Sequence, residues 1–380
     1  MATPTLTMIP SGYKAEKVYS VLPTNGDGDF TFNRNNTATR VNKNGLIEQV
    51  ATDIPRLDYS DGSCPSLLIE PQSINLITKS NEVTSVSSSI VTLNAAISPD
   101  GTLNAFKIKN TYASSNAGGL FALENQTANF AASTVYTLSF YAKNLVGNGQ
   151  FIARIDTDST IGLKQESFTA TSNWQRYTVS FTTDVGSTTF SSNSRFRNFQ
   201  ENGEVLFYGV QLEKGIATSL IPTTTQPETR SAESFSNDFS SQPTVANTNT
   251  VVLKFIPMGF STDFFKLLKF SDGTNELRLE GFSTNNYDVY GTGLTSSGMI
   301  DSALQLDSGS INIISFSYSG TSLRFSHNGS TINTITPTGN LPTITQVLHS
   351  VGSASPIKIL DLRVYNEFKT QTEINTLTTI

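Results

Sequence analysis

The feature that most limits what this chain can fold into is an alternation of apolar and polar residues with a period of two. In 135–142 one face carries Tyr136, Leu138, Phe140 and Ala142, and in 174–182 Tyr177, Val179 and Phe181 share a face. Successive side chains of a strand point to opposite sides, so such runs describe sheets with one face in a core. Similar runs occur at 105–108, 118–123, 150–156, 164–169 and 204–214, and again at 250–257, 264–270, 275–282, 287–292, 311–319, 322–327, 330–334 and 357–365. Asp272-Gly273 and Asn328-Gly329 stand between such runs and predict tight hairpins, whose two central residues take positive φ. The one helical candidate is the tail, with Thr370 as cap, Glu373 at the third position, and Ile374 and Leu377 at helical spacing.

Composition points the same way. Charged residues make up 15% of the chain, against about 25% in an average soluble protein. Ser, Thr, Asn and Gly take their place, and these suit turns and half-exposed strands better than long helices. A length of 380 residues predicts two or three domains. By texture they are an irregular, turn-rich block at 1–76, a strand-rich block at 77–224 and a second strand-rich block at 228–380. Between the last two, Pro222-Thr223-Thr224-Thr225-Gln226-Pro227 reads as a linker.

The net charge is −6 and the pI about 5.1. Neither suits a nucleic-acid partner, which needs a basic patch, and the run from Lys14 to Lys17 is too short to supply one. Cys64 is the one cysteine, so a disulfide framework is excluded and folding in a reducing cytoplasm is expected. Residues 1–10 lack the pattern of a signal peptide, and no stretch reaches the roughly 20 apolar residues of a membrane helix. The N-x-S/T sequons at Asn35, Asn125 and Asn328 read as surface turns.

The first block carries the most specific sequence signal. Ala38-Thr39-Arg40-Val41-Asn42, Gly45-Leu46-Ile47-Glu48, Pro55-Arg56-Leu57-Asp58-Tyr59, Leu67-Leu68-Ile69-Glu70-Pro71-Gln72 and Asn75-Leu76 follow one another within 37–76. This series resembles a segment that recurs in structural proteins and tail-associated adhesins of bacteriophages. Read as residues alone, Arg40, Glu48, Arg56 and Glu70 are expected to form ion pairs that set strand register. The second block, with 136–143, Trp174-Gln175-Arg176-Tyr177 and the closing run 207–215, resembles the jelly rolls of carbohydrate-binding modules. The third, ending in 359–366 and the short helix, resembles concanavalin- and laminin-G-like domains. The fold expected is therefore all-β: an N-terminal attachment segment followed by two antiparallel β-sandwiches. These resemblances imply a non-enzymatic protein on the virion surface of a tailed phage, made in the host bacterial cytoplasm. Its role would be tail fibre or receptor-binding protein with glycan adhesion. Capsid decoration or head fibre is the alternative, and a polysaccharide-degrading tail spike a second one. Implied partners are other virion proteins through residues 1–76, a host-surface or environmental glycan, and copies of the chain itself, with a trimer expected.

Sugar recognition needs a flat apolar surface rimmed by directional polar groups. In the second block Tyr141 and Trp174 are candidates, with Arg154 as polar partner; Tyr112, Phe121 and Gln200 are further exposed possibilities. Tyr141 is opposite in phase to Phe140, so one of the two leaves the inner face. In the third block Asn285, Asn286, Tyr287 and Tyr290 form a polar-aromatic loop between two strands. Asn25, Asp27 and Asp29 alternate as in a calcium loop, but Phe30 stands where an EF-hand needs Gly and Asn36 where it needs Glu. No metal or cofactor is expected. Nor is a catalytic residue: His327 and His349 lie in no triad motif, and G-x-S-x-G, H-E-x-x-H and P-loop patterns are missing. Glu276 and Glu280 share a strand face opposite Leu277 and Leu279, and are expected to be solvated charges.

Overall fold

The computed structural model describes residues 3–86, 88–112, 118–121, 130–156, 164–183, 194–197, 199–259, 265–282, 286–294, 304–349 and 355–380. Among these residues the chain is nearly all β, in antiparallel sheets, with one α-helix, Gln371–Leu377, at the end. That helix carries a full capping box: the Thr370 hydroxyl accepts from the Glu373 amide, and the Glu373 carboxylate accepts from the Thr370 amide.

The chain divides into two compact units. One consists of Met1–Lys43, Val50–Gln72 and Ser231–Ile380, the other of Asn44–Gln49 and Ser73–Arg230. The turn-rich first block is therefore no separate domain. In the first unit the long strand Ile357–Tyr365 pairs with Asn249–Pro257 on one side. On its other side lie Ser66–Ile69 and Leu6–Met8. In the facing sheet Thr31–Asn33 pairs with Ser234–Ser236, which pairs with Gln346–His349. The boundaries expected at 76 and 228 differ from this because the early strands are only three or four residues long. A two-residue period has no room to show in so short a run, and their partners lie hundreds of residues away. The sheets close over one core, where Phe270 and Phe316 meet edge to face at 5.1 Å.

The segment 37–76 is largely consumed inside this unit. Arg56 is fully buried and pairs with Glu70 at 2.8 Å and with Glu233, which also accepts from Arg34 at 2.7 Å. Asp58 accepts from the Val41 amide at 2.9 Å and pairs with Lys358 at 3.2 Å. The expected Arg56–Glu70 pair is thus present, but Glu233 completes it from 177 residues downstream of Arg56. Leu57, Leu67, Leu68 and Ile69 are buried, whereas turn residues 61–64 are exposed.

The second unit is a sandwich of two five-stranded sheets. One runs Val83–Val86, Gly118–Phe121, Arg195–Arg197, Gln150–Ile155, Lys164–Thr169; the other runs Ser89–Ile97, Leu103–Asn110, Glu204–Lys214, Val135–Val146, Gln175–Thr182. Between them lies an aromatic core in which Phe196 stacks on Phe207 at 4.1 Å and meets Phe140 edge-on at 4.7 Å. The inward faces of 135–142 and 174–182 contribute Tyr136, Leu138, Phe140, Ala142, Val179 and Phe181, as their alternation demands. The stretch read as a linker is partly built in. Thr223 is buried, its hydroxyl 2.8 Å from that of Ser80, and Glu228–Arg230 pairs with Ser73–Asn75.

Candidate functional site

The first sheet of the second unit packs Phe151, Ala153, Ile155 and Phe196 inward. Alternation sends the residues between them outward, and register arranges these in two parallel rows. One row reads Thr84, Leu120, Arg195, Arg154, Gln165. The other reads Val86, Gly118, Arg197, Ile152, Ser167. Five strands at their usual spacing span about 19 Å, the length of a short oligosaccharide. The surface is amphipathic: Leu120, Ile152 and Val86 are half-buried among Thr84, Ser167, Gln165 and the three arginines. At Gly118 a Cβ would lie 1.8 Å from the Phe196 carbonyl oxygen. The close approach of the neighbouring strand's backbone therefore forbids a side chain there.

The arginines are poorly neutralised. Arg154 stands directly opposite Arg195, and Arg197 lies two residues further along the same face. Asp156 pairs with Arg154 at 2.5 Å. Arg195 is 8% exposed, and the Nε–H groups of Arg154, Arg195 and Arg197 are buried without a hydrogen-bond acceptor among the described residues. Burial holds the Arg195 pKa below its ordinary value, the charges of Arg197 and Arg154 lower it further, and Asp156 offsets part of this. Arg197 is depressed too, by burial and then by Arg154.

The other candidates lie elsewhere. Tyr141 is on the opposite sheet of this sandwich, half-buried, with the Arg176 guanidinium 5.7 Å from its ring and Tyr208 6.1 Å away. Tyr208 is buried and donates to Asp100 at 3.0 Å. Trp174 is half-buried just before a strand of that sheet and donates from Nε1 to the Ile97 carbonyl at 3.2 Å. Neither shares a face with Arg154. Phe121 is a core residue, edge-on to Phe196 at 4.8 Å, so its proposed exposure is corrected. Tyr112 is exposed, and Gln200 accepts from the Asn148 amide at 2.8 Å. What sequence reading missed is Arg195 and Arg197. Arg-Phe-Arg is itself an alternating triplet around a core Phe, but three residues are too few to announce a strand.

In the first unit Asn285 lies outside the described residues. Asn286 and Tyr287 fall in the strand Asn286–Gly291 rather than in a loop, with their side chains outside the description. Tyr290 is on that strand too, and the Arg278 guanidinium sits 4.5 Å over its ring. Glu276 and Glu280 flank Arg278, with carboxylate oxygens 3.2 and 2.8 Å from its Nε. Glu280 is buried, not solvated, because this cation draws it down onto the sheet. Asp29 accepts from Ser20 and pairs with Lys17 at 3.4 Å, while Asp27 accepts from Asn25 and Gln242. His327 Nε2 is 3.0 Å from Asn312, and His349 is buried against the Leu267 carbonyl at 2.7 Å.

No known family matches the sequence, and no curated protein does. Solved structures similar in fold include the CBM40 of the IT-sialidase of Ruminococcus gnavus, bound to α2,3 sialyllactose. It is 13% identical, covers 36% of this chain and 84% of its own, and has a TM-score of 0.28. Domain 4 of AbnA, a GH43 extracellular arabinanase from Geobacillus stearothermophilus, in complex with arabinotriose, is 16% identical over 39% of this chain and 73% of its own, at a TM-score of 0.32. The SAP-like pentraxin of Limulus polyphemus is 15% identical over 35% of this chain and 70% of its own, at 0.29. These are likenesses of strand layout, and the ligands named are those proteins' own.

Proposed function

We propose that this chain is a non-enzymatic, glycan-adhering surface subunit of a tailed-phage particle. One observation carries the glycan part: the two-row outer face of the sheet holding Arg154. It offers half-buried aliphatic side chains for the face of a sugar ring and long polar side chains for its hydroxyls, on a rigid sheet. The virion part rests on the resemblance of 37–76 to phage structural proteins. A single shallow site binds weakly, and repetition on a particle raises avidity by about 10² to 10⁴ without new contacts.

Affinity electrophoresis of the purified chain through gels containing host capsular polysaccharides tests the glycan part. Retardation by at least one polysaccharide is expected, with Arg154→Ala weakening it about tenfold, the loss of one or two charge-assisted hydrogen bonds. Mobility unchanged by every polysaccharide, or retardation indifferent to Arg154→Ala, would remove this face as the site. Antibody labelling of intact particles tests the virion part. Label at the tail supports receptor binding, and unlabelled particles would end the virion reading.

A further inference from the structure

We infer that the ligand of this face carries a carboxylate, as an acidic sugar unit does, and that Arg154, Arg195 and Arg197 together receive it. The inference rests on the glycan-binding reading above. Like charges directly opposite on neighbouring strands destabilise a sheet, and here Arg154 faces Arg195 with Arg197 on the next outward position. A purely structural arrangement would interleave carboxylates, as the first unit does around Arg56 and Arg278. On this face Asp156 pairs with Arg154, and among the described residues Arg195 and Arg197 have no ion pair. Among the described residues the Nε–H groups of all three are buried without an acceptor, and Arg195 is only 8% exposed. Guanidinium is the donor best matched to the two oxygens of a carboxylate. A neutral sugar would leave the repulsion in place, whereas a carboxylate relieves it. The half-buried Leu120 and Ile152 favour a group borne on a ring over a fully hydrated inorganic anion. The chain's net charge of −6 disfavours a nucleic acid as the source of the anion.

The test uses the full chain and immobilised alginate, hyaluronan and polygalacturonate, with methyl-esterified polygalacturonate, dextran and dextran sulfate as comparisons. Binding to at least one of the three acidic polymers is expected, and so is weakening as salt rises. If polygalacturonate is the one bound, its methyl ester should bind at least tenfold more weakly. Arg195→Gln and Arg197→Gln should each lower affinity about tenfold while the Tm stays at or above that of the wild type, because each removes repulsion. A lowered Tm with affinity unchanged would assign the arginines a structural role and overturn the inference. So would ester bound as tightly as acid, or dextran sulfate bound as tightly as the carboxylated polymers. Binding to dextran or a host capsule but to none of the acidic polymers would defeat the inference and leave the glycan reading standing. Binding to no polysaccharide would defeat both.

Discussion

Arg56 and Glu233 show how a single buried charge fixes the first unit. Burial alone would lower the Arg56 pKa, but Glu233 and Glu70 raise it well above its ordinary value. Burial likewise pushes Glu233 up, and Arg56 and then Arg34 outweigh it, so its pKa ends below 4.5. Breaking a buried pair by removing one partner leaves an uncompensated charge, so Glu233→Gln should destabilise the chain by about 3–5 kcal/mol in denaturant unfolding. The pH dependence follows from the sign. A carboxylate with a depressed folded pKa contributes stability that is full above its unfolded value of 4.5 and is lost as pH falls through the folded one. Glu233→Gln should flatten that acid limb. His349 acts at higher pH. Burial holds its pKa below 6.5, so the folded state excludes the proton and stability falls as pH drops below 6.5. Replacing it with Gln should flatten the dependence of stability on pH below 6.5, and an unchanged slope there would show that the ring is not held neutral. Arg56 and Glu70 were legible in the sequence as charges set among apolar residues. Glu233 was not, since nothing local marks a carboxylate whose partner lies so far upstream.

At the scale of the element, Glu204–Lys214 shows where periodicity misleads. A regular strand would send 205, 207, 209 and 211 to one face, yet the core holds Val205, Phe207, Val210 and Leu212. The ladder with Val135–Val146 skips one residue there, between the pairs Ser139–Gln211 and Tyr141–Tyr208. Gly209, at φ 63°, is the extra residue of a bulge that reverses the phase. After it, Gln211 and Glu213 point away from the core into a buried polar network, where Glu213 accepts from the Thr218 amide at 2.9 Å and Gln211 donates to Glu213 at 2.5 Å. Gly209→Ala should cost about 1–3 kcal/mol for the left-handed backbone, read as a lower Tm. A Cβ there would also lie 2.9 Å from Leu220. Val135–Val146 and Gln175–Thr182 were legible because eight alternating residues leave no other period. Arg195–Arg197 was not, and with it most of the candidate site stayed hidden.

For the whole molecule, the units are discontinuous in sequence: Ser73–Arg230 interrupts a sandwich begun before it and completed after it. Ile357–Tyr365 needs Leu6–Met8 and Ser66–Ile69 along one edge, and without them an apolar strand would lie open. A chain beginning at residue 228 should therefore lack a cooperative thermal transition, although it contains the whole third block. Cooperative unfolding of that fragment near the temperature of the intact chain would show that the early strands are dispensable. The sequence by itself determined the all-β class, the inward faces of 135–142 and 174–182, the tight hairpin at Asn328-Gly329 and the capped terminal helix, because each depends on neighbours a few residues apart. Tertiary structure alone decided that 1–72 belongs largely with 231–380, that Glu233 closes the Arg56 pair, and that Arg195 and Arg197 join Arg154 on one face. Strand order is a long-range choice, made by which apolar edges must be covered, and no local period records it.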